Sequence, residues 1–103
     1  MEYSLTFLSI FFADLLYLSP ILFLLIIAVC INGIVIGRIE EWGTFDSLYH
    51  AFINATTVGY GDFAPTTLLS RGLAVLNVFI GLLLTGVFVG AGVHAVSVTM
   101  GGV

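Results

Sequence analysis

The residues best suited to chemistry form one run, Thr56-Thr57-Val58-Gly59-Tyr60-Gly61-Asp62. What this run offers is backbone rather than a reactive side chain. Its two glycines stand one residue apart, between two apolar segments that are each long enough to cross a membrane. Carbonyls of consecutive residues face one axis only if the handedness of the backbone alternates, which requires φ > 0 at some positions, and glycine adopts it freely. A K⁺ ion entering a pore must exchange its water shell for other oxygens, and a ring of peptide carbonyls can supply them. Thr57 adds a hydroxyl oxygen at the inner end.

Thr57-Val58-Gly59-Tyr60-Gly61-Asp62 resembles the signature of the potassium channels, and the chain around it resembles their minimal two-helix pore domain. The likeness runs from Thr44 to the end of the second apolar segment, with Asn54-Ala55-Thr56 before the signature and Pro65 and Arg71 after it. Before Trp42 only the hydrophobic pattern matches. The resemblance implies an all-α membrane protein. It would have two transmembrane helices, a re-entrant pore helix and a selectivity-filter loop, assembled as a fourfold symmetric homotetramer. It also implies K⁺ as the bound metal, held by Thr57, Val58, Gly59 and Tyr60, with Gly61 and Asp62 supporting the filter.

Composition points the same way without the motif. Of the residues, 60% are hydrophobic and only 8% charged, with a mean hydropathy of +1.23, which excludes an ordinary soluble domain. No lysine and no basic cluster are present, so nucleic acid is not expected as a partner. Met1-Glu2-Tyr3 lacks a basic start, so no secretory leader is expected. The single Cys30 sits within an apolar segment and reads as a small buried hydrophobe. The polar groups compose no catalytic site, and Glu40-Glu41 reads as solvated charge, so the chain is not expected to be an enzyme.

The elements that must position the signature follow from punctuation. Ser19 as cap and Pro20 at the first helical position predict a helix over 20–39, the outer helix, about 30 Å long. Residues 1–19 are apolar, with a thin polar stripe of Glu2, Thr6, Ser9 and Ala13 beside Asp14. Two arrangements suit them: a helix along the membrane surface, or one long helix kinked at Pro20. Trp42 suits a headgroup boundary as an anchor. Thr44 as cap and Asp46 in the first turn predict a pore helix over 44–56, too short to span, which must dip in and return. Non-helical backbone at that depth is tolerated only inside protein or facing water. The C-terminal end of the pore helix, with its partial negative charge, would favour a cation near the membrane centre. The filter is then 57–62. Arg71 suits the headgroups, and the inner helix is expected over 71–99, with residues 20–103 as the pore domain.

One loop gives one set of carbonyls, and a cage needs several, so the chain must close into a symmetric ring. By resemblance, Gly81 matches the family's gating hinge, and Leu82, Thr85, Val89, Val93 and Ser97 face the pore. Leu82 and Thr85 would line the cavity, while Val89 and Val93 would form a constriction that closes by dewetting. Gly86 and Gly90 read as a packing notch. Asn32 and Asn77 are read as hydrogen-bonding between helices. His94 reads as an interfacial residue or a sensor of cytoplasmic protons.

The sequence departs from the family at the pore helix. Ile53 replaces a glutamate found in some members, and Tyr49 and His50 stand where many carry two tryptophans. Tyr49 is expected to brace Asp62, and His50 to contact Tyr60 of its own or a neighbouring subunit. Arg38 and Arg71 both flank the re-entrant segment, so the charge rule opposes the orientation that the family implies, a multi-pass cell-membrane protein with both termini cytoplasmic. Two other readings are a non-selective cation channel and a non-conducting subunit that partners another membrane protein. The gating stimulus and any regulatory partner are not written in the chain.

Overall fold

Pro20 decides where the first apolar stretch breaks. In the computed structural model, which describes residues 1–101, α1 spans Glu2–Tyr17 and α2 spans Ser19–Glu40, separated only by Leu18. Proline has no N–H to give the carbonyl one turn back. The Ser19 hydroxyl donates to Leu16 O in its place, at 2.7 Å. Ser19 therefore does not cap α2 as expected; Leu18 holds the cap position, and Ser19 repairs the end of α1.

The short helix α3 covers Thr44–Ala55, and α4 covers Leu68–Gly101. Gly43, not Thr44, is the N-cap of α3, and its carbonyl accepts from both the amide and the hydroxyl of Ser47. The helix α4 starts three residues before the expected 71 because Thr67 caps it. Thr67 Oγ1 accepts from the Ser70 amide at 3.1 Å and donates to the Ser70 hydroxyl at 2.8 Å. Two helices, α2 with 22 residues and α4 with 34, are long and apolar enough to cross a membrane. Among the described residues there is no strand. The fold is that of an all-α membrane protein with two spanning helices.

The molecule measures 54 × 25 × 20 Å, close to the length of α4, about 51 Å. Both α1 and α2 run against α4, one along each half, and touch each other only near Leu18. Tyr3 lies near Met100, Phe11 near Gly92, Asp14 beside His94 and Tyr17 near Val87, so α1 is antiparallel to the later half of α4. The packing of residues 1–19 is thus that of a helix lying along α4, with a break at the Pro20 joint.

The densest packing surrounds α3. Val29 of α2 and Ala51 and Ala55 of α3 are fully buried together, with Ile80 of α4 closing over them. Gly33 and Gly37 let α3 approach: a Cβ on Gly33 would overlap that of Ala51, and one on Gly37 would overlap the Ser47 side chain. Small residues four apart on α2 thus meet small residues four apart on α3. No sequence signal was drawn from Gly33 and Gly37, although their spacing is that of a helix-packing motif.

Candidate functional site

The signature begins where α3 ends, and asparagine amides tie α3 to α4 and α2 to α4. Asn54 Nδ2 donates to Ala74 O at 2.9 Å, and Asn77 Nδ2 donates to Ala51 O at 2.9 Å, tying α3 to α4 in both directions. Asn32 Nδ2 donates to Leu73 O at 2.8 Å and joins α2 to α4. Asn32 and Asn77 thus bond across helices, as expected, and Asn54 does the same. At Gly81 a Cβ would sit 2.0 Å from Ala55 O, a backbone atom with nowhere to go. Gly81 is therefore the point of closest approach between α4 and the last turn of α3.

Past Ala55 the chain folds back over the helix end. The Thr56 amide donates to Phe52 O, the Thr57 amide to Asn54 O, and both the Val58 and Gly59 amides to Ile53 O. The Thr56 hydroxyl donates to Phe52 O at 2.7 Å. Within the chain, the carbonyls of Phe52, Ile53 and Asn54 thus accept from residues just past the helix end.

The backbone of the signature is left-handed at every second residue: Thr57 at φ 65°, Gly59 at 55° and Gly61 at 83°. For the two glycines this costs little. For Thr57, a β-branched residue, it is a strained conformation that the surroundings must hold. A Cβ at Gly59 or Gly61 would meet nothing within 4 Å, so the demand there is conformational, not spatial. Val58 and Tyr60 are 50% and 70% exposed in the single chain, which leaves one side of the loop without protein cover.

Behind the loop lies an aromatic cluster. Trp42 packs edge-on against His50 at 4.9 Å and Phe63 at 5.4 Å, and Phe63 against Tyr49 at 6.1 Å. Half-buried, the Trp42 ring joins the turn after α2 to α3 and to Phe63. A cavity of about 130 Å³ separates His50, Ile53 and Asn54 from the run Gly59 to Pro65.

The Asp62 carboxylate raises the Tyr49 phenol above its ordinary range, first as hydrogen-bond acceptor, then with help from burial and its negative charge. Burial holds His50 below the usual histidine range, outweighing the opposing pull of Asp62. His50 Nδ1 is buried without a partner, and no hydrogen bond joins it to Tyr60 within the chain. Ile53, half-buried, lines the same cavity.

Outside the loop, the partly exposed carboxylate of Glu40 also makes specific contacts. Its carboxylate accepts from the Thr66 amide, from the Thr66 hydroxyl at 2.9 Å and from the Thr67 amide at 3.4 Å. Arg71 Nε donates to Pro65 O at 3.3 Å. These contacts fasten the segment leaving the signature to the end of α2 and the start of α4. Sequence reasoning missed Glu40 because its partners lie 26 and 27 residues away.

On α4, Leu82, Thr85, Val89, Val93 and Ser97 are exposed and turned away from the buried Asn77, Gly81, Ala91 and Ala95. A Cβ on Gly86 or Gly90 would meet nothing within 4 Å, so any notch there is unfilled within one chain. His94 Nδ1 lies 2.6 Å from Asp14 Oδ2.

A family model described as ion channel matches residues 7–98. Potassium channel protein 1 of Methanocaldococcus jannaschii is 32% identical over 79 residues, covering 77% of this chain and 20% of that protein. TWiK family of potassium channels protein 7 of Caenorhabditis elegans is 34% identical over 65 residues, 63% of this chain and 12% of its own length. Two-pore potassium channel 1 of Arabidopsis thaliana is 48% identical over 44 residues, 43% of this chain and 12% of its own. The chain thus spans a fifth or less of the length of these relatives. No solved structure matches it. The matched stretch contains both spanning helices, the short helix between them and the signature loop; the chain belongs to the ion channel family, as a two-helix pore domain of the potassium-channel kind.

Proposed function

We propose that the chain forms a K⁺-selective pore as a homotetramer. The observation that carries this reading is the left-handed backbone at Thr57, Gly59 and Gly61, every second residue of the signature. Such alternation can turn successive carbonyls toward one axis, and Val58 and Tyr60 of the loop are exposed in the single chain, open to cover by neighbouring copies. Four copies around an axis would surround a dehydrated K⁺ with the oxygens of Thr57, Val58, Gly59 and Tyr60. Gly61 and Asp62 close the outer end, Tyr49 braces Asp62, and His50 and Ile53 back the loop. In this reading conduction is passive, with the loop lending backbone oxygens rather than a reactive side chain.

The names of the relatives support K⁺ as the ion. The exposed face of α4 supports a water-filled path, with Leu82 and Thr85 at the cavity and Val89 and Val93 at a narrower inner mouth. In this reading Gly81 fixes α4 to α3 and marks the level above which α4 cannot move freely. The protein would sit in the cell membrane with both termini inside.

The test is the reversal potential of purified protein in planar bilayers, with K⁺ on one side and Na⁺ on the other. A value near the K⁺ equilibrium potential is expected. A reversal near zero with robust current would replace selectivity with general cation conduction. Tetramers that pass no current at any pH would favour a non-conducting subunit.

A further inference from the structure

Among the described residues, the inner half of the molecule holds one side-chain polar contact between helices, Asp14 of α1 with His94 of α4, at 2.6 Å. In a chain with so few charges, this pairing joins residues 80 apart in sequence. His94 lies 23 residues after Arg71, about 35 Å along α4, and Asp14 lies just beyond the start of α2. The pair therefore sits about one hydrocarbon thickness from the Glu40 and Arg71 end, at the level of the opposite membrane surface. The His94 side chain is 60% exposed and that of Asp14 21%, so protons can reach the pair.

The surroundings isolate it. A groove of about 370 Å³ adjoins the pair, lined by Tyr17, Leu18, Val87, Gly90 and Ala91. From α1, Asp14 and Tyr17 are the titratable groups that face His94; the start of α2 and the neighbouring residues of α4 contribute none. Arg38 and Arg71 belong to the far end of the molecule. Apart from this contact, α1 and α4 meet mainly through apolar and small residues.

We propose that Asp14 and His94 form a latch that protonation tightens, holding the inner half of α4 against α1. A neutral imidazole can donate Nδ1–H to the carboxylate. A doubly protonated ring makes the same hydrogen bond as a charged pair, which is stronger. Histidine side chains as a class gain that proton between about pH 8 and about pH 5. Val89 and Val93 lie on the opposite side of α4 from Ala91 and Ala95, the positions buried by the neighbouring helices. Pulling α4 toward α1 thus draws Val89 and Val93 back from the axis they would face in a tetramer. Acid on the inner side holds the mouth wide, and neutral pH loosens it. The consequence for the mouth rests on the pore reading above; the latch itself does not.

Spin labels on Ser4→Cys and Met100→Cys, in a Cys30→Ser background diluted with unlabelled chain in lipid vesicles, report the separation of α1 and α4. The short-distance population should grow about two- to fivefold between about pH 8 and about pH 5, as expected for an exposed pair gaining a charge. Asp14→Asn and His94→Gln should abolish the change, and Asp14→Glu should restore it. A distance distribution that ignores pH, or a pH response that survives Asp14→Asn, overturns the latch. Paired K⁺ flux measurements separate the two readings. Distances that shift without any flux support the latch and sink the pore; K⁺-selective flux with fixed distances does the reverse.

Discussion

The two ends of this molecule are built from the same kind of apolar helix and are fastened by opposite means. At the signature end, α3 is wedged between α2 and α4 by Gly33, Gly37 and Gly81, and tied by the amides of Asn54 and Asn77. Glu40 and Arg71 secure the segment that leaves the loop. At the other end, α1 and α4 meet along an apolar seam with one polar pair, and Gly86 and Gly90 face open space. Apolar contact alone gives no preference over lipid, so close approach and hydrogen bonds decide which helices stay together. One end is thus packed tightly around a strained loop, and the other is held by far fewer close contacts.

The largest effect should come from filling the tightest glycine. Gly81→Ala places a methyl 2.0 Å from the Ala55 carbonyl, where backbone must move. Overpacking of this kind costs about 1–3 kcal/mol or more. In this variant the proposed tetramer should dissociate on heating in detergent well below the wild type, and the proposed K⁺ flux should be lost. A variant as heat-resistant as wild type would show that α3 and α4 can separate cheaply, and the contrast between the two ends would collapse.

Next in size is Asn77→Leu, which leaves the Ala51 carbonyl with its helical partner but cuts the tie to α4. Interhelical hydrogen bonds in membranes contribute about 0.6 kcal/mol on average and up to about 1.7. A modest fall in tetramer stability is expected, with selectivity unchanged. Glu40→Gln should act locally. The amide oxygen still accepts from Thr66, but without the charge, so the outer segment loosens and current should decay faster during sustained conduction. Current that persists as in the wild type would show that Arg71 and Pro65 suffice.

The two histidines should answer acid with opposite signs. Burial lowers His50, so the unfolded chain binds its proton at higher pH than the native one does. Stability at the signature end is therefore complete above the ordinary histidine value of about 6.5 and falls as the pH drops through it. Heat resistance of the tetramer should decline below about pH 6 in wild type and less so in His50→Phe. The latch proposed for Asp14 and His94 has the opposite sign and tightens in acid. Loss of heat resistance that is identical in His50→Phe would locate the acid response elsewhere.

How much of this was written in the sequence depends on range. The signature, the two spanning helices and the short helix between them follow from local pattern, and the helix ends fall within three residues of expectation. The caps slipped by one residue because Gly43 and Leu18 take positions for which the neighbouring hydroxyls looked better suited. Local pattern could not give the packing of Trp42 on His50 and Phe63, the clasp of Glu40 on Thr66 or the meeting of Asp14 with His94. Each depends on which face a helix turns to a partner distant in sequence, and α1 and α2, apolar nearly all round, do not mark a face. Gly33 and Gly37 were readable from spacing alone, but their partner on α3 was not.

The smallest expected effect is also the one that separates two uses of glycine. Gly86→Ala and Gly90→Ala replace glycines whose added Cβ would touch nothing in the chain. In a helix interior, alanine is favoured over glycine by about 1 kcal/mol, so each variant should leave tetramer stability unchanged or slightly raised. If these glycines instead form a notch that a neighbouring subunit enters, the same methyl group must weaken assembly. If they give α4 the freedom to bend, assembly is unharmed but the pH response of α1 and α4 becomes shallower, because a stiffer helix resists the pull of His94. Thermal dissociation and the spin-label distance, measured on the same two variants, distinguish these outcomes. Unchanged assembly with a shallower response would mark the inner half of α4 as the moving part, in contrast to Gly81, where the same substitution meets backbone.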